Sequence, residues 1–337
     1  MRKQIVACWL TTCLVLLAAT TATAQHYQPF GELDMHYDMQ WFAPPIIDEY
    51  GDEPVAPNYG WFADYSRAYL RLSRPENLPS NFEEDATWGN IWDFGYMTED
   101  NHGWLASVTN IQSTQWAVFT PVTDIQGNAF DLRNNLNFGR YWSAELNKTF
   151  RVHVGDHGTF FEPFGGFRYG NFEEEINNET LVFDNPADPM VEVGTGTRGV
   201  IGNSMVGAQI GSRAYNRNGH WVISGELRGF AQMNFQEVHA QQIEITTNAD
   251  GAGGFIVQNP VVTRVDESFD EFVVGGELRL EVAYELTREI RIHAGLEVLH
   301  MGRGLSRGFD SDLLTASQIN DGGATYWGYF FGAQLNR

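Results

Sequence analysis

The chain has 337 residues, enough for one large domain with a substantial core. Its 43% hydrophobic content excludes a disordered acidic tail protein, and its net charge of −22 argues against nucleic acid or anionic lipid headgroups as the main partner. Charged residues make up only 19% while aromatics reach 14%, a balance unlike that of an ordinary cytosolic domain.

Residues 1–24 read as a secretory signal peptide. Arg2 and Lys3 form a basic start, an apolar run follows from Ile5 to Ala19, and Ala22-Thr23-Ala24 supplies the cleavage pattern. Both cysteines, Cys8 and Cys13, lie inside it. Cleavage therefore leaves no disulfide framework, thiol nucleophile or thiolate metal site. Residues 25–60 form an acidic, Pro-containing N-terminal extension, with room for one hidden strand near 33–42.

From 61 to 337 the pattern is period-two alternation. Ile290, Ile292, Ala294, Leu296 and Val298 alternate with Arg291, His293, Gly295, Glu297 and Leu299. Phe272, Val274, Leu278, Leu280 and Val282 oppose Glu277, Arg279, Glu281 and Glu285. Trp221, Ile223, Leu227, Ala231 and Met233 oppose Ser224, Glu226, Arg228, Gln232 and Asn234. Such alternation denotes two-faced strands.

Ten strands are predicted, near 64–73, 90–98, 103–111, 133–150, 159–173, 200–214, 221–235, 269–286, 290–302 and 324–335. Residues 116–122 are either an eleventh strand or part of a loop. With the hidden N-terminal strand, the count becomes twelve. One short helix is predicted at 312–319. Tight turns alternate with long gaps at 74–89, 112–132, 174–199, 236–268 and 303–323. That alternation, with aromatics near strand ends, predicts an all-β antiparallel transmembrane β-barrel of ten or twelve strands. Its turns would be short and periplasmic, its five acidic loops long and extracellular. No apolar run after residue 24 is long enough for a membrane-spanning helix. A secreted, lectin-like barrel is the soluble alternative.

The polar faces hold charges in mid-strand, which a sandwich core would not accept unpaired. The inward acids are Asp93, Glu145, Glu162, Glu226, Glu277, Glu281, Glu285 and Glu297. The inward bases are Arg67, Arg71, Arg168, Arg213, Arg228, Arg279 and Arg291, with His293 alongside. As candidate lumen lining we select Arg67, Arg71, Arg168, Glu226, Arg228, Glu277, Arg279, Glu281, Arg291 and Glu297. Ten or twelve strands enclose a lumen nearer the filled than the open limit, so a narrow channel or an ion-paired filling is expected.

Several segments, in order, resemble the β-barrel porin family of outer-membrane proteins found in planctomycete-type bacteria. They include Trp41-Phe42-Ala43-Pro44, Gly60-Trp61-Phe62-Ala63-Asp64-Tyr65 and Phe94-Gly95-Tyr96-Met97 with His102-Gly103-Trp104-Leu105. Glu162-Pro163-Phe164-Gly165-Gly166-Phe167-Arg168-Tyr169 follows, then Asn203, Gly207, Gln209 and Gly211, then Ala283-Tyr284-Glu285-Leu286-Thr287-Arg288. The resemblance implies an outer-membrane barrel and a porin, and supplies no catalytic residue.

No cofactor is expected. His153, Asp156 and His157 share a turn but lack a further ligand set. Gly-x-Ser-x-Gly is absent, and Ser66, Ser107, Ser143, Ser204 and Ser224 read as strand residues that spacing pairs with no histidine. An enzyme is therefore not expected. The expected neighbours are outer-membrane lipid and a lipopolysaccharide-like glycolipid. Passive passage of small solutes or ions is the leading function. A closed structural or surface-interaction barrel is the alternative.

Overall fold

The computed structural model describes residues 59–73, 86–123, 129–154, 159–183, 192–249, 255–257, 260–287, 289–307 and 320–336. The predicted signal peptide, residues 25–58 of the predicted N-terminal extension with its hidden strand, and the predicted helix at 312–319 lie outside them; Gly60, predicted as the end of the extension, begins the first strand.

The strands are β1 (Gly60–Leu72), β2 (Ala86–Met97), β3 (His102–Thr123), β4 (Ala129–Phe150), β5 (Val152–His153), β6 (Thr159–Phe183), β7 (Glu192–Asn218), β8 (Trp221–Ala249), β9 (Phe255–Val257), β10 (Val261–Glu285), β11 (Ile290–Arg307) and β12 (Asn320–Asn336). Ten of them pair antiparallel in chain order, and β1 closes on β12. β5 and β9 are short additions against β6 and β8. The result is a closed ten-stranded barrel. Residues 116–122 are the upper end of β3 rather than a separate strand.

The register fixes the barrel's width. From Arg67, one route runs through Asn90, Asn110, Trp142, Asn171, Ser204 and Phe235 to Asp270 on β10. The other runs through Phe331 and Ala294 to Val282. The two ends lie twelve residues apart on one strand, which is the shear. For ten strands with ordinary spacings, that implies a tilt of about 40° and a backbone radius of about 9–10 Å. Long side chains from opposite walls meet in a tube of that size.

Four connections of eight residues or fewer, after Met97, Phe150, Asn218 and Glu285, all leave from one end. Asn101, at φ 60, and Gly219, at φ 59, make the positive-φ corners that two of these turns need. At the other end the strands run further than the alternation predicts. Much of 112–132, 174–199 and 236–268, expected as loop, is strand. Segments such as Glu244-Ile245-Thr246-Thr247 have β-forming residues with no apolar face, so their pairing is legible only from the partner strand.

The wall has two faces. Outward lie Tyr65, Trp88, Phe94, Trp104, Trp142, Leu146, Phe167, Tyr169, Val206, Ile210, Leu227, Met233, Phe272, Leu278, Leu280, Val282, Leu296, Trp327 and Tyr329, all exposed. They make an apolar belt around the barrel. On its tall side the outer face turns polar within one alternation, with Arg140 paired to Glu173 and His239 to Asp266 at 2.8 Å. From Trp142 to Phe150 on β4 the belt covers nine residues, and from Phe272 to Val282 on β10 eleven. Those are the lengths of tilted strands that cross hydrocarbon.

Candidate functional site

The inner face stacks in three layers. At mid-height, guanidinium and carboxylate groups pack against one another. Arg168 bridges Glu145 and Glu277, each at 3.0 Å, and its Nη2 donates to the Tyr141 hydroxyl at 2.9 Å. Arg228 pairs with Glu145 at 2.8 Å and also with Glu226. Arg279 reaches Glu277 at 2.8 Å, and Glu297 and Asp93 at 3.4 Å each. Gln209 donates to Glu145 at 2.6 Å and to Asn147 at 2.8 Å. These groups are almost wholly out of solvent, which is tolerable because each charge has an opposite partner and Arg168, Arg228, Arg279, Glu145 and Glu277 have two or more. Arginine suits the place: its planar fork serves two carboxylates at once. Its stem also packs on rings, with the Arg168 guanidinium 4.5 Å from the Phe230 centroid.

Six of the ten sequence candidates, Arg168, Glu226, Arg228, Glu277, Arg279 and Glu297, meet in this cluster. Glu281 and Arg291 face inward nearer the short-turn mouth and pair at 3.6 Å. Arg67 and Arg71 do not line the lumen. On β1 the buried positions are Ser66, Ala68, Leu70 and Leu72, so both arginines point outward. Arg67 lies over Trp88 and donates to Asn90 at 2.6 Å; Arg71 lies over Trp327. Charge does not mark the inside on this strand, because the inside of β1 belongs to an apolar layer.

That layer sits above the ion cluster, toward the long-strand end. Leu70, Leu72, Ile91, Ile111, Tyr141, Phe172, Met205, Val273, Leu299, Met301, Leu305 and Tyr326 form one buried apolar group. The register of β11 shifts between Met301 and Leu305, and Gly304 takes φ +100. Alternation then stops: Gly304, Leu305, Ser306 and Arg307 are buried in succession. Polar side chains of β7 and β8 hold this segment by its backbone. Asn203 Nδ2 donates to Ser306 O at 3.0 Å and Asn203 Oδ1 accepts from Ser306 N at 2.9 Å. Asn234 and Gln236 both donate to Gly304 O at 2.7 Å. Arg307 Nη1 donates to Gly323 O at 2.8 Å and Nη2 to Ser73 O at 2.9 Å. The upper end of β11 therefore folds inward across the lumen to β7 and β8. The alternation legible through Leu299 carries no sign of this break.

Below the ion cluster the lumen widens into a cavity of about 150 Å³ at the short-turn mouth. Arg151, Arg213, Arg217, Glu162, Glu281 and Glu285 are among its walls. No group of three or more metal-binding side chains is found among the described residues.

The outer-membrane protease OmpT from Escherichia coli is similar at 9% identity and TM-score 0.41, over 85% of this chain and 100% of that one. A mutant of the monoaromatic hydrocarbon channel TodX is similar at 8% identity and TM-score 0.31, over 84% and 92%. The Pseudomonas putida toluene transporter TodX is similar at 10% identity and TM-score 0.24, over 85% and 92%. No curated protein sequence matches the chain. The family model described as "Putative beta barrel porin-7" matches residues 140–322, more than half of the chain, and the chain belongs to that family.

Proposed function

We propose that the protein is an outer-membrane barrel that passes small solutes or ions through a narrow lumen, closed here by residues 302–307 of β11. The apolar belt supports the membrane setting, since it suits lipid and would be costly in water. Outer-membrane lipid would then cover the belt, and a lipopolysaccharide-like glycolipid the polar outer wall above it. The observation that carries the reading is how the closing segment is held. Side-chain amides grip it above the ion cluster, and its ladder to β10 has ended at Met301, so that of its two neighbours only β12 still pairs with it, at residues 305–307. Each such bond contributes about 0.5–1.5 kcal/mol, and on this reading the segment swings away with its β12 partner while β10–β11 and β11–β12 stay paired below Met301. The lumen offers both signs of charge, which favours weak selectivity.

The second reading is a permanently closed barrel whose outer surface carries the function. The filled ion cluster favours it. Planar-bilayer recording separates the two. Wild-type protein should show rare conductance steps, and Asn203→Ala with Asn234→Ala frequent ones. Glu277→Gln should then shift the cation–anion preference. Verified insertion of the double variant without steps would leave only the closed barrel.

A further inference from the structure

We infer that Ser66, His293 and Asp64 form a serine-hydrolase site, open to the short-turn cavity and acting on small carboxylic esters. Ser66 lies on β1 and His293 on β11, 227 residues apart in sequence. Each is in register with Gly332 on β12, the strand between them. A Cβ at Gly332 would lie 2.7 Å from His293 Nε2 and 2.8 Å from Ser66 Oγ. With glycine there, the two inward side chains meet over the intervening strand, Oγ to Nε2 at 2.8 Å. Asp64, two residues before Ser66 on the same face, accepts from the Ser66 hydroxyl through Oδ1 at 3.2 Å and puts Oδ2 3.5 Å from His293 Nδ1, which has no hydrogen-bond partner among the described residues. Ser66 Oγ thus touches both partners, and the order nucleophile, base, carboxylate is completed when the Asp64–Nδ1 contact tightens on substrate binding, as such contacts commonly do.

The site has access and a neighbouring cation. Asp64 and Ser66 both line the cavity, together with Arg291, Glu281, Gln334 and Phe330. Tyr59, Arg217, Glu285 and Asn336, at strand ends by the short turns, line the same space and carry it to the mouth. Arg291 stands two residues before His293 on the inner face of β11, and its Nε has no hydrogen-bond partner. It is the donor we assign to the developing oxyanion. A space of about 150 Å³ holds a molecule the size of benzene, which sets the ester class as short-chain.

The chemistry balances with water as the only co-reactant. Ser66 Oγ attacks the ester carbonyl carbon while its proton passes to His293 Nε2. The tetrahedral oxyanion faces Arg291. Collapse breaks the bond to the alkoxy oxygen, and the alcohol leaves with the proton from Nε2. Water then attacks the acyl-Ser66 carbonyl and gives its proton to Nε2. The carboxylic acid departs as Ser66 Oγ takes that proton back. Once substrate displaces the Ser66–Asp64 hydrogen bond, Asp64 is the group that accepts the hydrogen bond from Nδ1 and fixes the imidazole's tautomer.

The test uses the full chain folded in detergent, with the fold of every variant checked by heat-dependent gel mobility. An alkyl fluorophosphonate should give one adduct, at Ser66, with fluoride displaced. Phenyl acetate hydrolysis should fall about 100-fold or more in Ser66→Ala and in His293→Gln. Ser66→Cys should react with a small methanethiosulfonate, showing that the position is reached. No adduct on folded wild type, an adduct that persists in His293→Gln, or a folded Ser66→Cys variant that stays unmodified would each overturn the assignment. None of these readouts depends on conduction, so the channel reading and the hydrolase reading fail separately.

Discussion

Glu145 on β4 and Arg168 on β6 stand directly opposite in register and pair at 3.0 Å, each with about 1% of its side chain exposed. The pair is the hinge of the lumen's ion cluster, because Glu145 also holds Arg228 and Arg168 also holds Glu277. Removing Arg168 leaves Glu145 to Arg228 and Glu277 to Arg279 and Arg228, so two buried carboxylates each lose one of their cations. Arg168→Met is therefore expected to lose about 3–5 kcal/mol, read by urea unfolding of the detergent-folded barrel. Adding Glu277→Gln to it should recover part of that loss, since one stranded carboxylate is then neutral. A loss below about 1 kcal/mol for the single variant would show that water, rather than its neighbours, holds the charge.

Gly304 is the position at which the closing segment can be loosened. Its φ of +100 suits glycine, and an added Cβ would lie 2.7 Å from the Phe272 carbonyl oxygen. Backbone strain of this kind costs about 1–3 kcal/mol. Gly304→Ala should therefore raise the frequency of conductance steps while heat-dependent gel mobility still reports a folded barrel. Unchanged recordings from verified inserted protein would mean that the segment tolerates the Cβ or does not gate.

The barrel itself was legible because alternation is a local property. β8, β10 and β11 each show their two faces within about ten residues, and ten strands followed from counting them. Which face is inner was read from charge, and that rule holds where the lumen is ionic, at Glu226, Arg228, Glu277 and Arg279. It reverses on β1, where Tyr65, Arg67 and Tyr69 share the outer face and Ser66, Ala68 and Leu70 the inner one. Alternation says that two faces differ, not what lies opposite either. The meeting of Ser66 with His293 was invisible for the same reason: it depends on Gly332 lying between them in register, a fact of three strands at once.

Gly332 gives that arrangement its own check. An added methyl group would crowd Tyr65 O at 2.2 Å as well as His293 Nε2 at 2.7 Å. Gly332→Ala should reduce fluorophosphonate labelling of Ser66 by about 10-fold or more, by parting nucleophile from base. The ion cluster lies apart from this change, so the urea midpoint should move less than it does for Arg168→Met. Labelling that survives in a folded Gly332→Ala barrel would show that the serine reacts without the histidine.

Arg67 tests the membrane setting itself. The two register routes from it reach β7 at Ser204 and at Asn216, so in a tilted barrel it is level with the midpoint, Ile210. Ile210 is 72% exposed at the centre of the apolar belt. If the belt faces lipid as proposed, a guanidinium at that depth costs about 2–4 kcal/mol. Arg67 has a partial remedy, its 2.6 Å bond to Asn90, whose Oδ1 also accepts from Tyr65 at 2.9 Å. One such bond to a charged group returns about 1.5–3 kcal/mol in a protected site. The unfavourable term is the larger. Arg67→Leu should therefore stabilise the barrel by about 1 kcal/mol in urea titrations with phospholipid vesicles, and gain nothing in detergent, whose thin shell lets the head group reach water. A clear loss in vesicles would mean that the guanidinium has a polar partner beyond Asn90, and that this stretch of β1 and β2 is covered by protein rather than by lipid.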